Sequence, residues 1–128
     1  MEMNYKVRTD KTIEEAVEAL KATLSEHQFG VLVEHNFQET LKNKGVEFDK
    51  DFVLLEVCNP VKAKTVLEED LEMAYFLPCK VGVYEMNNQV YIGMPLPTKL
   101  MGMTGNPNLL HTAQDVEDIL LAAINAAK

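Results

Sequence analysis

Residues 79–94, CKVGVYEMNNQVYIGM, decide the fold that this sequence predicts. Apolar and polar residues alternate from Cys79 to Met86 and again from Gln89 to Met94, which indicates two β-strands that each bury one face. The two residues between them, Asn87-Asn88, tolerate the positive backbone angles of a tight hairpin turn. We therefore expect a hairpin here, and a sheet with antiparallel pairing.

Helix-start signals lie on both sides of this hairpin. Thr12 and Glu15 fit a capping box, in which each side chain bonds the other residue's backbone N–H. The apolar stripe that follows is Ile13, Ala16, Val17, Leu20 and Leu24. Asn59-Pro60 and Asn106-Pro107 each place a good N-cap residue before a proline at the first helical position. They predict one helix over residues 60–69 and a longer helix that closes the chain.

The last helix has an apolar stripe suited to packing on a sheet. Its members are Leu110, Ala113, Val116, Ile119, Leu120, Ala123 and Ile124. The nearly continuous apolar run Phe52–Val57 is typical of a central strand with both faces covered. We expect Gly30 to end the first helical region, and residues 95–105 to form a loop.

The remaining predicted elements are a strand over residues 4–9, a strand over residues 30–33 and a short helix over residues 37–44 that Gly45 ends. The complete order is strand, helix, strand, short helix, strand, helix, two strands, helix. This order is not the regular alternation of parallel units, so it predicts the α+β class. We expect a single domain over residues 1–128, with an antiparallel sheet and helices packed on one of its faces.

Composition narrows the classes of function. The 128 residues include 12 Lys+Arg and 20 Asp+Glu, a net charge of −8. Phosphate binding needs a basic surface, so we expect no nucleic-acid partner. We expect no membrane span or signal peptide either, because no apolar run approaches about 18 residues and none follows a charged N-terminus. Two cysteines are too few for a secreted disulfide scaffold, which predicts a cytoplasmic protein with reduced thiols.

Methionine is concentrated in the nearly neutral second part of the chain. The residues are Met73, Met86, Met94, Met101 and Met103. Methionine commonly fills gaps in a core, and it also forms adaptable contact surfaces. Burying all of these side chains beneath one sheet is difficult for a monomer, so we expect a homodimer.

Four short motifs carry a resemblance to a known family. They are Phe29–Glu34 (FGVLVE), Cys58-Asn59-Pro60, Leu77-Pro78-Cys79 and Gly105-Asn106-Pro107. Their order and spacing, over about residues 5–126, resemble the prokaryotic family of the domain of unknown function 302. The resemblance implies a fold of the TATA-binding-protein-like group, with a curved antiparallel sheet and a long C-terminal helix on it, and it implies a homodimer.

The same resemblance implies no activity, and a fold shared with a DNA-binding protein does not confer DNA binding. One position departs from the family pattern. Members commonly have an acidic residue two places after the glutamate of the first motif, whereas this sequence has Asn36 there.

The motifs also contain the candidate ligand-binding site. Its residues are Glu34, Cys58, Asn59, Cys79, Asn106 and His111. We expect the three Pro-containing turns to meet around the two thiols. These thiols could act as a redox pair, as a nucleophile or, with His111, as metal ligands; alternatively they pack as small hydrophobes. The Asn-Pro helix starts could bind a small anion or simply cap their helices.

Three hypotheses of function follow. The first is a small-ligand or sensor module, a homodimer with a pocket between the sheet and the last helix, lined by Cys58, Cys79 and the segment Leu100–Thr104. The second is an enzyme or redox protein that uses either thiol. The third is a protein-interaction domain with a Met-rich face. No spacing identifies a cofactor, a metal or a catalytic group.

Overall fold

The structure, a computed structural model, describes residues 2–128. The strands are β1 (Asn4–Thr9), β2 (Gly30–Asn36), β3 (Phe52–Cys58), β4 (Cys79–Met86) and β5 (Gln89–Pro95). The helices are α1 (Ile13–Glu26), α2 (Phe37–Asn43), α3 (Pro60–Glu69), α4 (Pro97–Gly102) and α5 (Asn108–Ala127), with a 3₁₀ helix at Leu71–Phe76. The α+β class is confirmed.

The strands form one antiparallel sheet in the order β1-β5-β4-β3-β2. β4 and β5 form the predicted hairpin, and Asn87 and Asn88 at its turn have φ of 55° and 63°. β1 and β2 are the two edges. The pairing of β2 with β3 is irregular between Val31 and Val33, where the register shifts.

Helices α1 and α5 pack on one face of this sheet, as predicted. The capping box at the start of α1 is present: Thr12 Oγ1 accepts from the Glu15 N–H, and Glu15 accepts from the Thr12 N–H. The core between sheet and helices includes Leu20, Leu24, Leu55, Val57, Val81, Val83, Ile92, Val116, Leu120 and Ile124, all at most 4% exposed. A second buried cluster joins α3, the 3₁₀ helix, α4 and α5.

Burial alternates along β3. Val53, Leu55 and Val57 are buried against the helices, whereas Phe52 and Leu54 on the opposite face stay partly exposed. The prediction that both faces of this strand are covered was wrong, because α1 and α5 pack on the same side of the sheet.

Aromatic rings cross the face of the sheet that points away from α1 and α5. We call the row of rings formed by Phe37, Phe52, Tyr84 and Tyr91 the aromatic stripe. The centroids of successive rings in it are 5.7, 5.0 and 5.8 Å apart. Lys6 Nζ lies 4.9 Å from the centroid of the last ring. The Phe52 ring lies over Gly82, where a Cβ atom would be 2.6 Å from the ring. The stripe is thus packed on the backbone of β4.

Helix α4 occupies the stretch that was predicted to be a loop. Pro97 is at the start of the helix, and no side chain of α4's own N-terminal turn caps it. Instead Glu117 of α5 accepts from the Thr98 N–H at 3.1 Å and from Thr98 Oγ1 at 2.6 Å. The loop prediction was wrong because this cap comes from a distant helix.

Two helix boundaries also differ from the predictions. The left-handed residue after α1 is Gln28, with φ of 62°, rather than Gly30. α5 begins at Asn108, after Pro107, because Asn106 Oδ1 accepts from the Asn108 N–H at 3.0 Å in a turn that precedes the helix. The 3₁₀ helix before β4 was not predicted.

The methionines divide between core and surface. Met73, Met94 and Met101 are at most 4% exposed, whereas Met86 is 40% and Met103 65% exposed. Three of the five therefore fill the core.

Candidate functional site

An apolar cavity of about 230 Å³ lies where β4 begins and β5 ends. Its walls come from the 3₁₀ helix, the turn Leu77-Pro78, both strands, α4 and α5. The lining residues are Tyr75, Phe76, Leu77, Pro78, Cys79, Lys80, Pro95, Pro97, Leu100, Met101 and Leu120. We call this space the apolar cavity. It lies between the sheet and the last helix, and Leu100 and Met101 of the predicted segment contribute to it.

A second, much smaller cavity of about 20 Å³ brings the two thiols together. Cys58 and Cys79 both line it, as does Asn59. Strand pairing explains this, because Cys79 pairs with Val57, the residue before Cys58. The small cavity shares Leu77, Pro78, Cys79 and Met101 with the apolar cavity, so the two spaces adjoin. Two of the three motif turns therefore meet, whereas none of the residues Gly105, Asn106 and Pro107 of the third turn lines either cavity.

Cys79 is partly buried, and its surroundings favour the neutral thiol. Burial, with a smaller contribution from Cys58, raises the pKa of Cys79 to about 11. A thiol is a nucleophile and a metal ligand only as its thiolate, so the raised pKa of Cys79 disfavours both roles near neutral pH. Both cysteines are free rather than disulfide-bonded. In the apolar cavity, Cys79 provides a polarizable surface without charge.

Lys80 stands at the rim of the same cavity. Its ammonium group donates to the carbonyl oxygen of Pro78, 3.1 Å from Nζ, and both residues line the space. Lys80 is the only charged residue among those that line the apolar cavity. The arrangement thus combines an apolar interior with one cation.

Asn59 caps its helix, as its motif predicts, whereas Asn106 lies in the turn before α5 and is not the N-cap of that helix. Asn59 Oδ1 accepts from the N–H groups of Val61 and Lys62, each at 3.1 Å, at the start of α3. At the start of α5, the side-chain amides of Asn106 and Asn108 donate to one carboxylate oxygen of Glu69, at 3.2 and 2.9 Å. The predicted anion position beside Asn106 is therefore next to a carboxylate of the chain itself.

The other two candidates lie elsewhere. Glu34 forms an ion pair with Lys21 on the helix side of the sheet and raises the pKa of that lysine. The side chain of His111 is 88% exposed, with Nε2 3.7 Å from Asp115. Residues 2–128 contain no group of three His, Cys, Asp or Glu side chains placed to hold a metal ion. The structure therefore does not bring Cys58, Cys79 and His111 together.

Comparison with known proteins agrees with the motifs. The family model described as domain of unknown function DUF302 matches residues 5–127. The chain belongs to the DUF302 family. A solved structure, the crystal structure of an uncharacterized conserved DUF302 protein from Bacillus stearothermophilus, is similar to it with 41% sequence identity and a TM-score of 0.94. That similarity covers 98% of each chain. The search of curated proteins gives no match.

The family departure at Asn36 has a structural explanation in this DUF302 chain. Asn36 is the N-cap of α2, and its Oδ1 accepts from the Glu39 N–H at 3.1 Å. Aspartate caps helices about as well as asparagine. An acidic residue at this position would therefore keep the same local role.

Sequence reasoning missed half of this DUF302 cavity. The lining residues that were not predicted at the site are Tyr75, Phe76, Lys80, Pro95, Pro97 and Leu120. Of these, Leu120 was expected in the core of the last helix, and Pro95 and Pro97 in the segment after the hairpin. The proline at the start of α4 was the available signal, because proline is favoured at the first helical position.

Among residues 2–128, no helix has the length and apolar character that crossing a membrane requires.

Proposed function

We propose that this domain binds a small molecule in the apolar cavity, as a ligand-binding or sensor module. The observation that carries the proposal is the partly open space of about 230 Å³ with mainly apolar walls. A cavity of about 150 Å³ lined by apolar side chains is large enough for benzene. The apolar cavity therefore has room for one ring with a short substituent, or for a short acyl chain.

Binding is better supported than thiol chemistry. A reactive cysteine needs a lowered pKa and access to solvent, whereas burial raises the pKa of Cys79 to about 11. The neutral thiol suits a site that holds an apolar group without reacting with it. The proline-containing turns Leu77-Pro78 and Pro95 to Pro97 would keep the walls in place.

A titration with indole, followed by amide chemical shifts, tests the binding proposal. We expect shifts confined to residues 75–80 and to α4, with saturation at millimolar concentration or below. Leu100→Trp, which fills the cavity from α4, should abolish them. The matched control is Leu110→Trp on the exposed side of α5, where Leu110 is 46% exposed. Shifts spread over the whole surface, or binding unaffected by Leu100→Trp, would contradict the proposal.

We also propose that the domain is a homodimer, joined through the aromatic stripe. The stripe places apolar rings on the face of the sheet that α1 and α5 leave uncovered, and large apolar patches commonly mark interfaces. A two-fold axis would bring the stripe of each copy against that of the other. This arrangement would also explain why β3 is apolar on both faces.

Light scattering at low micromolar concentration tests the homodimer, with twice the 14.4 kDa chain mass expected. Leu54→Arg places a charge beside the stripe and should give a monomer. Val61→Arg on α3 is the control, because Val61 is 75% exposed on another element. A monomeric parent protein would contradict the dimer, and a dimeric Leu54→Arg variant would contradict this choice of interface.

The cellular setting that we propose is the cytoplasm, where the two free thiols stay reduced, with no nucleic-acid partner. The net charge of −8 supports the second point. Passage through a heparin column at about physiological salt is the expected result, and retention there would contradict it.

A further inference from the structure

We propose that the ligand of the apolar cavity is a small monocarboxylate, an apolar ring or short chain ending in one carboxylate that pairs with Lys80. This inference rests on the proposed function and specifies its ligand class. It starts from the composition of the cavity wall. Among the lining residues, Lys80 alone carries a charge, in a protein whose net charge is −8.

Lys80 leaves the sheet on the face that carries Gly82 and Tyr84, and its ammonium group bends back to Pro78 at the rim of the apolar cavity. Its hydrogen-bond partner is the neutral carbonyl oxygen of Pro78, at 3.1 Å. Of the residues that the structure describes, none places a carboxylate oxygen within 4.0 Å of Lys80 Nζ. An ammonium group has three N–H donors, so the proline carbonyl leaves donors for a ligand.

Carboxylates of the neighbouring elements are accounted for. Glu56 of β3 pairs with Lys80 in strand register but forms no ion pair with it. Glu117 of α5 accepts both hydrogen bonds from Thr98 and caps α4. Neither carboxylate forms an ion pair with Lys80, so in this proposal the ligand carboxylate competes with Glu56 for the ammonium group.

The apolar walls determine which chemical groups the remainder of the ligand can carry. Leu77, Leu100, Met101 and Leu120 give no hydrogen-bonding side chains, and the Cys79 thiol is a weak donor at most. The hydroxyl of Tyr75 belongs to a residue that is 80% exposed, at the rim. A sugar or a nucleotide would leave buried hydroxyl groups unpaired, which costs binding energy. A second carboxylate would likewise enter an apolar space without a cation. A ligand with one apolar body and one carboxylate fits both the apolar side chains and Lys80.

Three probes of nearly equal size separate charge from shape: 3-phenylpropanoate, 3-phenylpropan-1-ol and 3-phenylpropylamine. We expect the acid to bind about tenfold more tightly than the alcohol, because a charge-assisted hydrogen bond exceeds a neutral one. The amine should bind most weakly, since it repels Lys80. Added salt should weaken binding of the acid and leave that of the alcohol unchanged.

Lys80→Met keeps the aliphatic stem and removes the charge, so it should bring the acid and the alcohol to equal affinity. Lys99→Met on α4 is the matched control and should keep the tenfold preference. Equal binding of acid and alcohol to the parent protein would overturn the carboxylate inference and leave the proposed function standing. A preference that survives Lys80→Met, or is lost in Lys99→Met, would overturn the assignment of Lys80. Binding of none of the three probes would overturn both proposals.

Discussion

Glu117 of α5 caps α4 by accepting two hydrogen bonds from Thr98, at 3.1 Å from the backbone N–H and 2.6 Å from the hydroxyl. The carboxylate is 9% exposed. A negative charge at a helix N-terminus also interacts favourably with the helix dipole. One side chain of the last helix thus orders a short helix that walls the apolar cavity.

Removing this cap should loosen α4. Glu117→Ala leaves the Thr98 donors without their partner, and we expect a loss of about 1–3 kcal/mol of unfolding free energy in urea denaturation. Amide exchange at Thr98 should speed up. Glu117→Gln keeps an acceptor oxygen and should lose less. Equal losses in the two variants would show that the hydrogen bonds to Thr98 contribute little.

Burial of α5 on the sheet predicts a strong effect of a charge at Leu120, which is 1% exposed. Leu120→Asp should cost about 3 kcal/mol or more, because the carboxylate has no partner in the core. The control is Ala122→Asp on the exposed side of the same helix, with an expected cost below about 1 kcal/mol. Thermal melts compare them, and similar melting temperatures would argue against this packing.

Gly93 of β5 lies close to the backbone of β1, so a side chain at this position should destabilise the fold by a steric clash. At Gly93 a Cβ atom would lie 2.9 Å from the backbone oxygen of Tyr5, so β1 has to shift in Gly93→Ala. We expect a loss of about 1–3 kcal/mol in chemical denaturation. At Gly30 nothing lies within 4 Å of the added Cβ, and Gly30→Ala should change stability by less than about 1 kcal/mol. A neutral Gly93→Ala would mean that β1 does not pack this closely.

The buried thiol predicts a dependence of stability on alkaline pH. The pKa of Cys79 is about 11 in the folded protein, above its ordinary value of 9.0, so folding favours the protonated thiol. Its stabilising contribution, about 2 to 3 kcal/mol, is complete below pH 9 and lost as pH rises through 11.

Unfolding free energies of the parent protein and Cys79→Ala, measured across this range, isolate the effect because other alkaline titrations are common to both. The parent should lose more stability than the variant. Parallel curves would indicate that the thiol is not buried in solution. Cys58→Ala serves as the control for removal of a neighbouring thiol.

The N-cap of α2 predicts which replacements Asn36 tolerates. Asn36→Ala removes the acceptor of the Glu39 N–H and should cost about 1 kcal/mol. Asn36→Asp keeps a capping oxygen, so its unfolding midpoint in urea should stay close to that of the parent. If aspartate is as damaging as alanine, capping is not the role of this position.

Elements with local signals were predictable from the sequence. The capping box of Thr12 and Glu15, the hairpin turn at Asn87-Asn88 and the Asn59 cap each lie within a few residues of what they control. Helix α4 was missed because its cap is 19 residues away, at Glu117. Tertiary partners of this kind leave no local pattern.

In the candidate site, too, the contacts marked by local motifs were predictable from the sequence and the others were not. Cys58 and Cys79 meet because adjacent strands place them side by side, and the Pro-containing motifs marked where those strands end or begin. The contact of Glu69 with Asn106 was not predictable, because it joins two helices through exposed side chains. Lys80 was overlooked, since a lysine next to a strand end is ordinary until its surroundings are known.

The place of β1 in the sheet affects how a nascent chain can fold. Tyr5 pairs with Met94, so the first strand of the sheet to be synthesised waits for the fifth and last. At about 5–20 residues per second, that interval is roughly 5 to 20 s. Until β5 has been synthesised, β1 has no partner strand, because β5 is its only neighbour in the sheet. We therefore expect co-translational folding to begin with β2, β3 and β4, and the N-terminal edge to be added only after the β4–β5 hairpin has left the exit tunnel.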